Sequence, residues 1–301
     1  GRMWALAANG VVCVYDGAGA RARAFRLTPK HSDTGTRKPF RPIAFDVADG
    51  AVFCATEDNF YRFPVPAVGV GRVEQVWERV DTYGHAVDMA AMLEDAISTQ
   101  DSALFIADSF RVCAGEPTRV RVLDPEDGAY VHQIEVHGDI ERIAVDVRSP
   151  KRLVVAHSKG LTVYEASGGY KELFSYDLFG LGAPGVAPPL PVFRDGVSDD
   201  PVFFKSQHVG GLALNRNGEL VLTDTRKAQS DAARSSTAVF RFELSKNDAP
   251  ANTLQPARVL ARGACEDECV AVDDAGVIVT CSTRRAGIRI LRAGAGAGVG
   301  G

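Results

Sequence analysis

A single unit recurs along this chain and restricts what it can fold into. Its clearest copy is residues 210–244, GGLALNRNGELVLTDTRKAQSDAARSSTAVFRFEL. Apolar and polar residues alternate there in three short runs, 212–215, 219–224 and 237–244, separated by Asn217-Gly218 and then by a polar loop. Alternation with a period of two, bounded by turn residues, predicts short strands. Weaker copies run from end to end. Aligning the second strand of each gives LAA (6–8), CAT (54–56), IAD (106–108), VAH (155–157), LTD (222–224) and VTC (279–281), whose last residues are 48, 52, 49, 67 and 57 positions apart. A period of a few tens of residues belongs to a solenoid or a ring of repeats.

The first strand of the unit repeats too, as IAFDVADG (43–50), IAVDVRSP (143–150), LALNRNGE (212–219) and VAVDDAGV (270–277). Each is apolar-Ala-apolar followed by Asp or Asn and turn residues, which suits a packed strand running into a hairpin. The third copy is degenerate: residues 85–103, HAVDMAAMLEDAISTQDSA, keep Val87-Asp88 and then read as a helical turn. Third and fourth strands follow in most units, for example 118–128 then 129–136, and 160–169 then 170–178. Six such four-stranded antiparallel meanders predict an all-β fold, a six-bladed β-propeller of four-stranded antiparallel blades. Unit one begins at its second strand and unit six ends after its third.

One propeller domain is therefore expected over 1–292, followed by a flexible Gly/Ala tail, 293–301, AGAGAGVGG. The longest stretch outside the repeat, 179–207, is broken by glycine and proline yet carries Leu190, Val192, Phe193, Val202, Phe203 and Phe204. It reads as an insertion loop packed across one face, either a structural belt or a functional segment, a lid over the central channel or a docking loop.

Composition narrows the function classes. The chain is 46% hydrophobic and 24% charged, enough for a sizeable core, and its apolar residues come in runs too short for a membrane-spanning helix. A net charge of -4 argues against a nucleic-acid partner held by phosphate neutralisation. The densest basic patch, Arg21, Arg23, Arg26 and Lys30, alternates along a predicted strand and reads as its solvated face. Cys13, Cys54 and Cys281 fall in apolar strands and read as buried thiols. Cys265 and Cys269, with three residues between them in CEDEC, read as unrelated or as a loop disulfide, the acidic spacer disfavouring a metal site. The compartment stays open, leaning to intracellular.

The segment from Leu212 to Thr225 fits [LIV]-A-[VLF]-[DN]-x-x-G-x-[LIV]-x-[LIV]-[AT]-D-[ST] and so resembles the NHL-repeat propellers; Ala103 to Ser109, ALFIADS, matches the second half of that motif. The resemblance implies a protein or RNA interaction module. It also brings in enzymatic cousins with the same six-bladed ring, the lactonases and strictosidine-synthase-like proteins, and the peptidyl-hydroxyglycine lyases at the repeat level.

In such a lyase a His stands two residues before the inner strand. Here those positions carry Arg41, Glu141, Gly210 and Glu268. His85, His137 and His208 precede inner strands at unequal offsets, which disfavours a three-His zinc site. A lactonase-like calcium site would draw on Glu141, Asn215 and Asp273, although Asn215 and Asp273 are also the ordinary turn residues of their strands. Asp108, His157 and Asp224 share one position in their units and are expected to make structural bonds.

The expected role is a non-catalytic scaffold without a cofactor, binding a protein partner on one propeller face, with Arg41, Glu141, His208 and Glu268 at the channel mouth. The alternative is a lactonase- or lyase-type enzyme using Ca2+ or Zn2+ in the central channel. No G-x-S-x-G elbow, P-loop or H-E-x-x-H occurs.

Overall fold

A computed structural model describes residues 2–16, 20–30, 40–48, 50–81, 86–92, 102–108, 117–148, 150–166, 168–176, 209–225, 237–244, 254–255, 259–263, 269–281 and 288–292. Strands are the only regular elements among these residues. They form six sheets, three in each of two compact units, Gly1–Ile140 and Glu141–Gly301. Among the described residues no helix is long and apolar enough to cross a membrane. The insertion 179–207, the tail 293–301 and Cys265 lie outside the described residues.

In the first unit, β1 (Met3–Leu6), β2 (Val11–Tyr15) and β3 (Arg21–Thr28) form a meander in which β1 holds the first place. LAA therefore ends a first strand rather than forming the second strand that the repeat alignment gives, and it is β2 that packs on the second strand of the next sheet. The fourth place of the meander's sheet is taken by β7 (Arg72–Glu74), which pairs parallel to β3. The repeat did not foretell β7, because those three residues come from the loop of the next sheet. That sheet is β4 (Ala44–Ala48), β5 (Ala51–Ala55), β6 (Asn59–Pro64) and β8 (Trp77–Val80). The third is β9 (Ala86–Met92), β10 (Ala103–Asp108), β11 (Thr118–Leu123) and β12 (Tyr130–Val136). Here the structure corrects the sequence. The degenerate stretch does not turn helical after Val87-Asp88 but runs as strand to Met92, with Met89, Ala90, Ala91 and Met92 paired to β10. Packing on both neighbours overrides the helix preference of an Ala/Met run.

The second unit repeats the plan. β13 (Ile140–Asp146), β14 (Arg152–His157), β15 (Gly160–Glu165) and β16 (Glu172–Tyr176) make one sheet. The next has β17 (Val209–Leu214), β18 (Glu219–Thr225) and β19 (Thr237–Leu244), with the outer place shared by β20 (Leu254–Gln255) and β21 (Val259–Gly263). The last is the three-stranded β22 (Cys269–Val272), β23 (Val277–Cys281) and β24 (Ile288–Arg292).

Successive residues of a strand point to opposite faces, and in the middle sheet of each unit both faces of the second strand are buried. On β5, Val52 and Cys54 join Val12, Val14, Phe25 and Leu27 of the preceding sheet. Ala51, Phe53 and Ala55 face the other way, onto Met89, Leu104 and Ile106 of the following one. β18 divides likewise: Leu220 and Leu222 pack on Val154, Leu161 and Phe174, while Val221 meets Ile278 and Val270. Burying a residue of this size contributes roughly 1.5–3 kcal/mol, so β5 and β18 each fasten two interfaces at once.

The Asp or Asn closing each first strand adds a polar tie to the following sheet. Asp46 accepts from its neighbour Val47 N (2.8 Å) and, across the interface, from Ala91 N of β9 (2.7 Å). Asp146 holds Arg148 by two charged contacts of 2.8 Å, and Arg148 Nη1 donates to the Asn217 carbonyl at 2.9 Å. Asn215 Nδ2 donates to the Asp273 carbonyl (2.9 Å), and Asn217 Nδ2 to that of Asp274 (2.7 Å). Gly218, in the left-handed conformation at φ +85°, lies directly against the Arg148 guanidinium, so a side chain there would collide with that tie.

Two of these carboxyls titrate in opposite directions. Enclosure away from water raises Asp46 to about 6 from 3.8, against the two N–H groups that favour its anion and with Asp88 adding repulsion. Between those values the folded chain holds a proton that the unfolded chain has lost, so this site's contribution falls as pH rises. The stability of the wild type relative to Asp46→Asn is expected to decline from about pH 4 to about pH 6 and then level off. Urea unfolding followed by the fluorescence of Trp4 and Trp77 reads it; a flat or rising difference contradicts the assignment. At Asp146 burial also works against the anion, but Arg148 and Arg152 outweigh it and hold the carboxyl below its ordinary value. Its stabilisation is present above pH 3.8 and lost as pH falls through the lower folded value. Asp146→Asn leaves Arg152, 1% exposed, without its counter-charge. A loss of about 3 kcal/mol at neutral pH is expected, shrinking in acid, as read by circular dichroism.

Candidate functional site

At one end of the first sheet three separate segments meet around a cavity of about 420 Å³. The first is the turn between β1 and β2, closed by Gly10 N donating to the Ala7 carbonyl at 2.8 Å. Asn9 stiffens it by accepting from Val11 N at 3.1 Å. The second is the end of β3, from Arg26 to Pro29, tied to the turn where Leu27 N donates to the Gly10 carbonyl at 2.9 Å. The third is Phe40-Arg41, entering β4.

Phe40 anchors this third segment. Its ring stands edge-on to Tyr61 at 5.4 Å and to Phe63 at 6.0 Å, both on β6. It also lies over Gly10, where an added Cβ would sit 2.8 Å from the ring. With φ at +79°, Gly10 supplies both the backbone conformation and the room for the ring. Ile43 N, donating to the Ala55 carbonyl at 2.8 Å, fixes the far side, and Arg41 is held between the two anchors.

The electrostatics are one-sided. Arg26 and Arg41 line the cavity, are exposed, and make no ion pair among the described residues. The Thr28 hydroxyl is buried and without a hydrogen-bond partner among them. The neighbouring cations are engaged: Lys30 pairs with Glu74 at 3.3 Å, and Arg23 donates to the Pro66 carbonyl at 2.8 Å beneath the rings of Trp4 and Phe25. The arrangement can bind an anion beside an apolar wall.

The other residues singled out in the sequence are not gathered at one point. Arg41 is at this cavity, while His208, Glu268 and His85 lie outside the described residues and His137 is an exposed residue following β12. Glu141, half-buried on β13, accepts from Val209 N at 2.5 Å. That nitrogen opens β17 and Asn215 follows its other end, six residues or about 20 Å further along a strand. Asn215 Oδ1 is occupied by the N–H groups of Asn217 (3.0 Å) and Glu219 (2.9 Å). Asp273 Oδ1 accepts from Ala275 (3.0 Å) and Val277 (2.8 Å). Both therefore do the work of hairpin turns. No group of three or more His, Cys, Asp or Glu suited to a metal ion occurs among the described residues.

The buried charges are likewise spent on structure. Arg121, stacked 4.8 Å over Phe60, takes both carboxylate oxygens of Asp81 (2.8 and 3.2 Å) and reaches Asp108 at 3.4 Å, joining the second and third sheets. His157 starts a chain across its sheet, through Thr162 and Ser175 to Glu172, each step 2.8 Å. Asp108 and His157 thus make the structural bonds their repeated position suggests; the Asp224 side chain is outside the description. Cys54 is fully buried and its thiol pushed up by burial, while Cys13 is half-buried. Neither is placed to act as a nucleophile.

Asn9, Thr28 and Phe40 carry no signal in the sequence, since the cavity joins segments that no periodicity relates. Arg26 read only as one member of a solvated stripe. The one usable cue is that Phe40 precedes a first strand and that Gly10 follows another, both at turn positions.

No protein-family model and no curated protein matches the sequence. Similarity appears among solved structures. The WD40 domain of Neurospora crassa Pan2 aligns at 13% identity with a TM-score of 0.51, covering 96% of this chain and 74% of that one. A chain of the mitotic checkpoint complex aligns at 10% identity with a TM-score of 0.54, covering 97% and 71%. At such identities the likeness concerns the fold alone, and with the six sheets it makes this chain a β-propeller.

The cavity's geometry is testable through its glycine. Gly10→Ala introduces a Cβ into the Phe40 ring at a backbone conformation alanine disfavours, and is expected to cost about 1–3 kcal/mol. Thermal unfolding of the variant, beside Gly50→Ala as a control where no atom lies within 4 Å, separates the clash from the φ strain. Equal losses would mean that Phe40 does not rest on this turn.

Proposed function

We propose that this chain is an NHL-like, six-bladed propeller that serves as a non-catalytic scaffold and binds a protein partner on the face carrying the turn-end cavity. The observation that carries this reading is a division of labour among polar groups. Asp46, Asp108, Asp146, His157, Asn215 and Asp273 each bond to the chain's own sheets and turns. Arg26 and Arg41, by contrast, are accessible and have no ion-pair partner among the described residues. Among the described residues, groups open to another molecule are thus at a surface pocket, and the carboxylates and amides a hydrolytic site would recruit bond within the sheets.

The NHL assignment is supported by the way residues 212–225 fold. Asn215 closes the turn that Gly218 permits, and β17 and β18 pair in the register the motif implies. NHL-type chains are interaction modules, and this agrees with the binding role.

The test is affinity capture with chemical cross-linking, using the full chain in native extract of its source. A stoichiometric protein cross-linked near the cavity, retained when calcium and zinc are chelated, is the expected result. Chelator-sensitive hydrolysis of a lactone panel, with no protein captured, would overturn it.

A further inference from the structure

We infer that the cavity between the β1–β2 turn, the end of β3 and Phe40-Arg41 receives an acidic side chain from a peptide segment of the partner, with an apolar residue beside it. This rests on the interaction reading above and specifies its chemistry. Arg26 and Arg41 supply two guanidiniums at one opening, and a guanidinium binds a carboxylate through two parallel N–H···O bonds. The Thr28 hydroxyl, buried and without a partner among the described residues, is the additional donor that a carboxylate entering the cavity would satisfy. Asn9 has its side-chain oxygen occupied by Val11 N, so its amide N–H groups are what it can offer a ligand. Leu27 and Phe40 make the wall apolar, which favours an apolar neighbour in the bound segment.

Size and charge select a peptide over a polyanion. The cavity of about 420 Å³ admits one or two side chains, near the lower bound for ligand sites of roughly 300–1,000 Å³. Nucleic acid would need a run of cations along its phosphates. Here the adjacent Lys30 is neutralised by Glu74, and the chain carries a net charge of -4. Two cations without an ion pair among the described residues, beside an engaged one, match an isolated acidic residue. Recognition by so few charges is strongly screened, so the binding should weaken between about 0.05 and 0.5 M salt.

The probe is an array of short random peptides, with acidic, phosphorylated, neutral and basic subsets, incubated with the full chain. Vesicles of phosphatidylcholine with and without phosphatidylserine form a separate arm. Bound peptides are expected to be enriched in Asp or Glu next to an apolar residue. That preference should drop about 10-fold or more in Arg26→Gln/Arg41→Gln, with Thr28→Val showing a smaller loss and unfolding temperatures unchanged. Binding without acidic bias, or an acidic bias untouched by the double variant, overturns the inference; so does variant-sensitive binding to phosphopeptides or to phosphatidylserine vesicles alone. The scaffold reading fails separately: if the partner captured from extract persists with the double variant, only the cavity assignment is lost, whereas no captured partner removes the scaffold.

Discussion

Burial of one strand from both sides is the constraint on which the rest of this structure depends. A sheet with one solvated face needs apolar residues at alternate positions, but β5 and β10 are apolar at nearly every position, and β14 and β18 carry unbroken buried apolar runs, Leu153 to Ala156 and Leu220 to Leu222. Val52 and Phe53 are adjacent in the chain, both fully buried, and belong to different interfaces. A chain made of such strands cannot stop at one sheet. Each needs apolar surface on both sides, and for β5 and β18, in the middle sheet of each unit, it is supplied by the sheets before and after.

This arrangement governs the fate of the polar residues. Where two sheets press together, any carboxylate or amide at the contact must find a partner, because an unpaired buried polar group costs about 1–3 kcal/mol. The turn after each first strand brings an Asp or Asn to the seam, and the structure answers differently at each one. Asp46 takes a backbone N–H, Asp146 recruits Arg148 and Arg152, and Asn215 reaches a carbonyl. One position thus meets three chemistries with the same outcome, a polar tie between neighbouring sheets. Glu141, Asn215 and Asp273, which look like ligands in the sequence, are used up in structural bonds of this kind. Among the described residues, Arg26 and Arg41 are accessible and without an ion pair where the first sheet ends, at its turns.

Much of this was legible in the sequence for a physical reason. Period-two alternation and turn glycines are local, so the strands at 219–224 and 237–244 and the Asn217-Gly218 hairpin could be read directly. Third-unit strand β9 was misread past Val87-Asp88 because MAAM has the local preferences of a helix, and only packing against β10 decides otherwise. β7 was missed because three residues, RVE, carry too little pattern to announce a parallel pairing. The cavity lay furthest from view: Asn9, Arg26 and Phe40 come from segments about 15 residues apart or more, brought together by the pairing of β2 with β3 and by the Phe40 ring resting on Gly10. Arg41 and Glu141 were picked out together from their place in the repeat, yet Arg41 stands before β4 and lines this cavity, whereas Glu141 lies on β13 and caps a backbone N–H. Positions aligned by the repeat thus differ both in backbone and in side-chain role.

Two-sided burial makes a prediction for backbone protection that needs no substitution. Amide hydrogen exchange measured by mass spectrometry on the intact chain should find β5, β10, β14 and β18 the last to exchange, well behind the outer strands β8, β12 and β16. Exchange of these second strands as fast as that of the outer strands would contradict the claim that they fasten the sheets together.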